Sequence, residues 1–282
     1  MNIKITADST CDLPAELLKK HGITLAPLHI VKDGAAFTDG VDITPDDIFA
    51  HVDAGGALCS TAAVSVGEYL DLFGPLSREY DAVVHITIGD GFSSCYRNAC
   101  IAAGEFQNVR VVDSKNLSMG QGQVVLEACR LAEEGCGDID ALCEALRSLT
   151  GRIESCFLLD RLDYLAKGGR CSSIVALGAN LLRLKPSIEV VGGAMRVSKK
   201  YRGAYQKCMA EFVQDRLTGR DDIERGRLLA PFTSQLGDNL HAFRKAVRAG
   251  KFKQVVHAPA GCTISCHCGP RTVGLMFIRK EK

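Results

Sequence analysis

The chain has 282 residues, 46% apolar and 24% charged, with 34 basic against 33 acidic side chains, enough for two packed cores. A formal charge of +1, with no local block of like charges, excludes a general attraction to nucleic acid or anionic membrane. The thirteen cysteines are an odd count in a large chain, Met1 to Cys11 lacks the apolar run of a secretion signal, and no stretch approaches the roughly 20 apolar residues that cross a bilayer, so a cytoplasmic protein with reduced thiols is expected.

Ile3 and Ile5 predict a strand that runs into the polar turn Ala7-Asp8-Ser9-Thr10. Asp12 is then placed to cap a helix with Pro14 in its first turn and Gly22 past its end. Ile23 to Val31 reads as a second strand, Thr44-Pro45-Asp46-Asp47 opens a helix ending before Gly55, and Ser65 with Glu68 forms a capping box ahead of Tyr69, Leu72 and Phe73. Ala82 to Ile88 and Val109-Val111-Val112 are β-branched runs of the kind buried in a parallel sheet, each followed by a loop and a helical pattern. Repeated β-α units predict a doubly wound, mainly parallel sheet over residues 1–152.

After Gly151 the order changes. A strand near Cys156 to Leu159 precedes helical Leu162 to Lys167, Gly168-Gly169 stops it, and Ser172 or Ser173 starts another helix through Leu184. Ile188 to Val191, Gly192-Gly193 and Met195 to Tyr201 predict a β-hairpin. Helices over 204–217 and 234–248 and strands over 227–231, 252–257 and 272–278 complete a smaller mixed sheet covered by helices over residues 153–282. The fold class is α/β in two domains.

Chemistry concentrates at a few loops. In Ile86-Thr87-Ile88-Gly89-Asp90-Gly91-Phe92-Ser93-Ser94 a buried strand delivers two hydroxyls to the start of a helix, at the carboxyl end of a parallel strand where open α/β sheets bind ligands. Ser93 is therefore either a contact for a carboxylate or phosphate, or only a helix cap. Thr61, in Ser60-Thr61-Ala62-Ala63, offers a second hydroxyl or merely a turn. Arg202 ends the Lys199-Lys200-Tyr201-Arg202 run, where a guanidinium either pairs with an anionic head group or faces solvent. Cys262, Cys266, His267 and Cys268 include zinc-ligand types, but they crowd one short segment without a distant partner couple, which argues against zinc. His267, just before Gly269-Pro270, sits at a tight turn, aimed at a cleft or satisfied structurally. Gly120-Gln121-Gly122 reads as close helix packing. No G-x-x-x-x-G-K-[ST], G-x-G-x-x-G, H-E-x-x-H or G-x-S-x-G motif is present, so nucleotide chemistry by this chain alone has no support.

Five ordered segments carry a resemblance that runs from Ile5 to Phe277. They are Ala7-Asp8-Ser9-Thr10-Cys11-Asp12-Leu13-Pro14, Asp113-Ser114-Lys115-Asn116-Leu117-Ser118-Met119-Gly120, Leu162-Asp163-Tyr164-Leu165-Ala166-Lys167-Gly168-Gly169-Arg170, Leu184-Lys185-Pro186 followed by Lys200-Tyr201-Arg202-Gly203, and His267-Cys268-Gly269-Pro270. In this order they resemble the DegV family of bacterial fatty-acid-binding proteins, the lipid-carrying subunits of the fatty acid kinase system.

The resemblance implies a two-domain α/β fold that clamps the carboxylate of one long-chain fatty acid in a cleft, with the acyl chain in an apolar tunnel of the second domain. By position it makes Thr61 and Ser93 carboxylate contacts and puts Arg202 and His267 near the head group. Candidate tunnel residues are Ile174, Leu177, Leu181, Leu184 and Ile188. It further implies a noncatalytic carrier without cofactor that presents its fatty acid to a separate ATP-dependent kinase and holds the acyl phosphate for phospholipid synthesis. The chain departs from the family pattern at Ala62, Val64, Ser94 and Cys95, and at Arg271, which replaces a glycine and is expected to alter a turn or add positive charge beside the head group. The competing expectation is a small-molecule enzyme with His267 as general acid or base beside Ser93 and Asp90, which needs an open polar cleft.

Overall fold

The structure, a computed structural model, describes residues 1–175 and 184–281, without the side chains of Ile174 and Val175. In chain order the first part holds β1 (Ile3–Asp8), α1 (Ala15–Lys20), β2 (Thr24–Ala26), β3 (His29–Lys32), β4 (Ala35–Thr38), α2 (Pro45–Asp53), β5 (Ser60–Ala62), α3 (Val66–Glu79), β6 (Ala82–Thr87), α4 (Cys95–Ala103), β7 (Val109–Asp113), α5 (Met119–Glu133) and α6 (Ile139–Thr150). The second holds β8 (Ile153–Leu158), α7 (Asp163–Gly168), α8 (Ser172–Val175), β9 (Leu184–Val191), β10 (Ala194–Arg202), α9 (Tyr205–Leu217), β11 (Ile223–Phe232), α10 (Asn239–Val247), β12 (Gln254–Pro259), α11 (Cys262–Cys268) and β13 (Val273–Arg279).

Four strands form a wholly parallel sheet in the order β2-β1-β6-β7. Six form a mixed sheet in the order β10-β9-β8-β13-β11-β12, in which only β11 and β12 pair in parallel. The α/β class stands as expected, but the mixed sheet is the larger by strand count, because β11, β12 and β13 all join the β8–β10 meander.

β6 shows why the parallel sheet is wound on both faces. Val83 packs with α3 and α4, while the next residue, Val84, packs with α5 and α6, as the period of two in a strand requires. Helix α5 is itself enclosed, since its core also takes in Leu229 and Met276 of the mixed sheet. A Cβ on Gly120 would lie 2.0 Å from Asn116 Oδ1, and one on Gly122 would lie 2.9 Å from the Cys11 carbonyl, so the two glycines let the helix sit this close. The far face of the mixed sheet, through Leu275 and Phe277, carries α9 and α10.

Three expectations need correction. Ile23 to Val31 is two strands separated at Pro27: β2 joins the parallel sheet, whereas β3 turns into a small antiparallel sheet ordered β4-β3-β5. Asp12 does not cap α1; Pro14 occupies that position, and Asp12, at φ 51°, uses its carboxylate elsewhere. His267 is not in the turn itself but in the last turn of helix α11, residues 262–268, and the turn at Pro270 and Arg271 follows the helix. Thr, Ile, Ser and Cys are weak helix formers, so burial of six of its seven residues sustains it. Of the tunnel candidates, Leu177 and Leu181 lie outside the described residues, as does the Ile174 side chain; Leu184 is half-buried and Ile188 is fully buried in the core beneath α3 and α4.

Candidate functional site

The loop after β6 is built by buried polar residues of the sheet beneath it. Asp8, at the end of β1, accepts hydrogen bonds from Tyr69 Oη (2.6 Å) and the Ile88 N–H (2.9 Å), and lies 3.1 Å from His85 Nε2. Each bond satisfies a carboxylate that would otherwise be costly at zero exposure. The Gly89 N–H donates to the Asn116 carbonyl at 2.8 Å, tying the loop to the segment after β7. Held on both sides, the loop presents Ser93 just ahead of α4. Ser93 stands one residue ahead of Ser94, which occupies the cap position of α4; its Oγ accepts from the Cys95 N–H at 3.3 Å, and the residue also lines the interior.

Helix α11 is positioned by two carboxylates at its start. Asp39 accepts from the Cys262 N–H (2.9 Å), Thr263 Oγ1 (2.7 Å) and Ser9 Oγ (3.0 Å), while Asp12 accepts from the Gly261 N–H (2.8 Å) and Ser118 Oγ (2.6 Å). Negative charge at a helix start is favourable, but burial dominates at Asp12 and pushes its pKa up to about 7. The last turn of α11 carries His267. Its Nε2 lies 2.9 Å from Thr61 Oγ1 on β5, a hydrogen bond whose direction follows the imidazole tautomer.

His267 Nδ1 has no partner among the described residues. A Cβ on Gly168 would sit 2.3 Å from that nitrogen, so the ring packs directly onto the backbone at the end of α7 and only glycine leaves it room. Burial first, and the nearby Arg170 charge second, push the His267 pKa down to about 4. The imidazole is neutral at neutral pH.

Thr61, Ser93 and His267, drawn from β5, the loop before α4 and α11, line one cavity of about 110 Å³. Leu28, Ile88, Phe92, Leu117, Leu165 and Met195 supply much of its apolar wall. Arg170 lines it too, its Nη1 donating to the Gly168 carbonyl at 2.7 Å. In the sequence Arg170 is only the last residue of a motif, and an arginine after Gly-Gly gives no sign of facing inward.

Two further candidates lie elsewhere. Arg202 is exposed at the end of β10 and is not among the lining residues. Arg271 does adopt a left-handed conformation, at φ 55°, but its Nε donates to Asp160 at 2.6 Å, so the expected charge beside the head group is not delivered there. Asp90 pairs with Arg97 at 2.9 Å on the surface and also stays outside the lining. The thiols of α11 are dispersed: Cys262 Sγ donates to the Ile43 carbonyl, and Cys268 lines the cavity. Ala62 and Ser94, two of the departures from the family pattern, are lining residues as well. Among the described residues no helix is long and apolar enough to cross a membrane.

A parallel sheet and a mixed sheet packed about one helix, with a small cavity lined by several polar groups among mostly apolar side chains, define an α/β fold shared with known proteins. The model of the DegV family matches residues 2–280, and the chain belongs to that family. It is 32% identical to a DegV domain-containing protein of Caldanaerobacter subterraneus and 31% identical to one of Clostridium acetobutylicum, each match covering 99% of both chains. Among solved structures it superposes on a fatty-acid-binding DegV family protein of Thermus thermophilus with a TM-score of 0.89 at 29% identity, covering 99% of this chain and 100% of the other. A stearic-acid-binding protein of Eubacterium ventriosum gives a TM-score of 0.85 at 27% identity, covering 99% and 98%.

Proposed function

We propose that this protein binds one long-chain fatty acid, with the carboxylate held by Thr61, Ser93 and His267 and the first carbons of the chain against the apolar wall of a cavity that takes only that end of the ligand. The observation that carries this reading is the convergence of those three polar groups on a cavity otherwise lined largely by apolar side chains. An amphiphile needs that combination: roughly 0.8 kcal/mol per buried CH₂ for the chain, and a few placed polar groups to fix one end. Two hydroxyls and a neutral imidazole N–H are suitable donors to a carboxylate, and the Arg170 guanidinium supplies the positive charge. The fatty-acid-binding relatives from Thermus thermophilus and Eubacterium ventriosum support the same reading.

The protein is a noncatalytic carrier in this reading. It acts in the cytoplasm, presents the fatty acid to a separate ATP-dependent kinase and keeps the acyl phosphate for phospholipid synthesis. The family resemblance supports that step, together with the lack of nucleotide-binding motifs in the sequence. A division near residue 152 fits strands of the parallel sheet drawn from 3–113 and strands of the mixed sheet drawn from 153–279. The enzyme alternative is disfavoured because the Asp90 carboxylate is engaged by Arg97. Displacement of a fluorescent fatty acid tests the site: Ser93→Ala and Thr61→Ala are each expected to weaken binding about tenfold, the worth of one hydrogen bond to a charged group. Wild-type affinity in both variants would overturn it.

A further inference from the structure

A second cavity, of about 510 Å³, lies beyond the β9–β10 hairpin. Met195 lines the first cavity and its neighbour Arg196 lines the second, as successive residues of a strand face opposite sides. The wall of the second carries Lys115, Arg147, Arg196, Arg216, Arg220 and Arg279. Two carboxylates, Glu154 and Glu189, line it, and two more pair with wall residues from outside the lining, Asp222 with Arg220 at 2.6 Å and Glu144 with Arg147 at 3.4 Å, so six cations against four anions leave a surplus of two positive charges.

Ion pairing within the wall does not remove that surplus. Arg196 Nε donates to Glu189 at 2.6 Å, Arg216 Nη1 lies 3.2 Å from Glu189 and 3.6 Å from Glu154, and Arg220 donates to Glu154 at 2.8 and 2.9 Å. Three guanidiniums thus share these two carboxylates, with Asp222 as a further partner of Arg220. Arg216 is 14% exposed and clamped between them, which fixes its fork in place before any ligand arrives. Arg279 donates to the Gly151 carbonyl, and neither it nor Lys115 has a carboxylate partner among the described residues. Like charges gathered around a concavity repel one another unless an anion sits between them.

The geometry points to a binding site for a small molecule bearing at least two phosphate groups. The volume falls within the usual range for small-ligand pockets, roughly 300–1,000 Å³. Guanidiniums match phosphate oxygens in pairs, and the overall charge of +1 shows that the basic character is local to this cavity and not a general property of the chain. The site is separate from the fatty acid cavity and does not depend on what that cavity binds.

Calorimetric titration of the intact protein, carrying whatever lipid it retains, tests the site with inorganic pyrophosphate, ADP and adenosine. Saturable one-site binding of pyrophosphate, weakened by added salt and absent for adenosine, is expected. The double variant Lys115→Gln, Arg279→Gln should bind it at least about tenfold more weakly while retaining fatty acid like wild type, since both residues are exposed. Arg279→Glu alone should weaken it too. Tighter binding of ADP than of pyrophosphate would identify a nucleotide as the ligand class, and equal binding would identify the phosphates as the recognised group; either supports the site. No saturable binding up to about 10 mM, or undiminished affinity in the double variant, overturns it.

Discussion

The two cavities flank one hairpin and solve opposite solvation problems. The first surrounds Thr61, Ser93 and His267 with Leu28, Ile88 and Leu117, keeping its imidazole neutral through burial. The second gathers six cations and leaves them partly hydrated, with Glu154 and Glu189 holding Arg196, Arg216 and Arg220 in place. Apolar walls with a few placed donors favour an acyl chain with a single polar end, whereas fixed guanidiniums favour a compact anion. The contrast shows how one strand, β10, serves both purposes by alternation alone.

The largest expected effect comes from the two buried titratable groups near opposite ends of α11. His267, with its pKa lowered to about 4, takes up protons in the unfolded chain before the folded one, so its contribution is present above about pH 6.5 and is lost as pH falls toward 4. Asp12, raised to about 7, has the reverse sign: its contribution is present below about pH 4 and is lost as pH rises to 7. The two slopes oppose each other in wild type. Denaturant titrations of His267→Gln should therefore show stability falling with rising pH over that window, and those of Asp12→Asn should show it rising, each by up to about 3 kcal/mol. Parallel pH profiles in all three proteins would contradict the assignment.

A smaller effect tests the hairpin that separates the cavities. A Cβ on Gly91 would stand 2.4 Å from the Gly193 carbonyl oxygen, a backbone atom that cannot rotate away. Gly91→Ala should cost about 1–3 kcal/mol in chemical denaturation and loosen ligand retention at the first cavity, because the hairpin must retreat. A variant of wild-type stability would mean that the contact is slack. Smaller again is the difference between two arginines. Arg170→Gln is expected to weaken fatty acid binding about tenfold, and Arg202→Gln less than about twofold, in the same displacement assay. The opposite ranking would return the head-group charge to Arg202.

Much of this arrangement was legible in the sequence because local signals and tertiary need agreed. The capping boxes at Thr44 and Ser65, the β-branched run Ala82 to Ile88 and the Gly192-Gly193 hairpin all form where their chemistry predicts. Loop chemistry and family resemblance both point to Thr61, Ser93 and His267, and the structure brings the three to one cavity. What stayed hidden depends on contacts distant in sequence. Asp8, Asp12 and Asp39 look like turn or cap residues, yet they brace the β6 loop and the start of α11 across 80, 249 and 223 residues of chain. Helix α11 has no helical propensity to announce it, and Arg170 and Arg202 differ only in where the fold carries them. The basic cavity was equally invisible, since its cations come from five separate segments and the net charge is near zero.

Occupancy of the first cavity by a fatty acid can be read directly. Freshly purified protein should be denatured in organic solvent and the extract examined by mass spectrometry. A long-chain fatty acid in stoichiometric amount is expected; an empty protein that also fails to take up added fatty acids would rule out a fatty acid as the ligand of the first cavity.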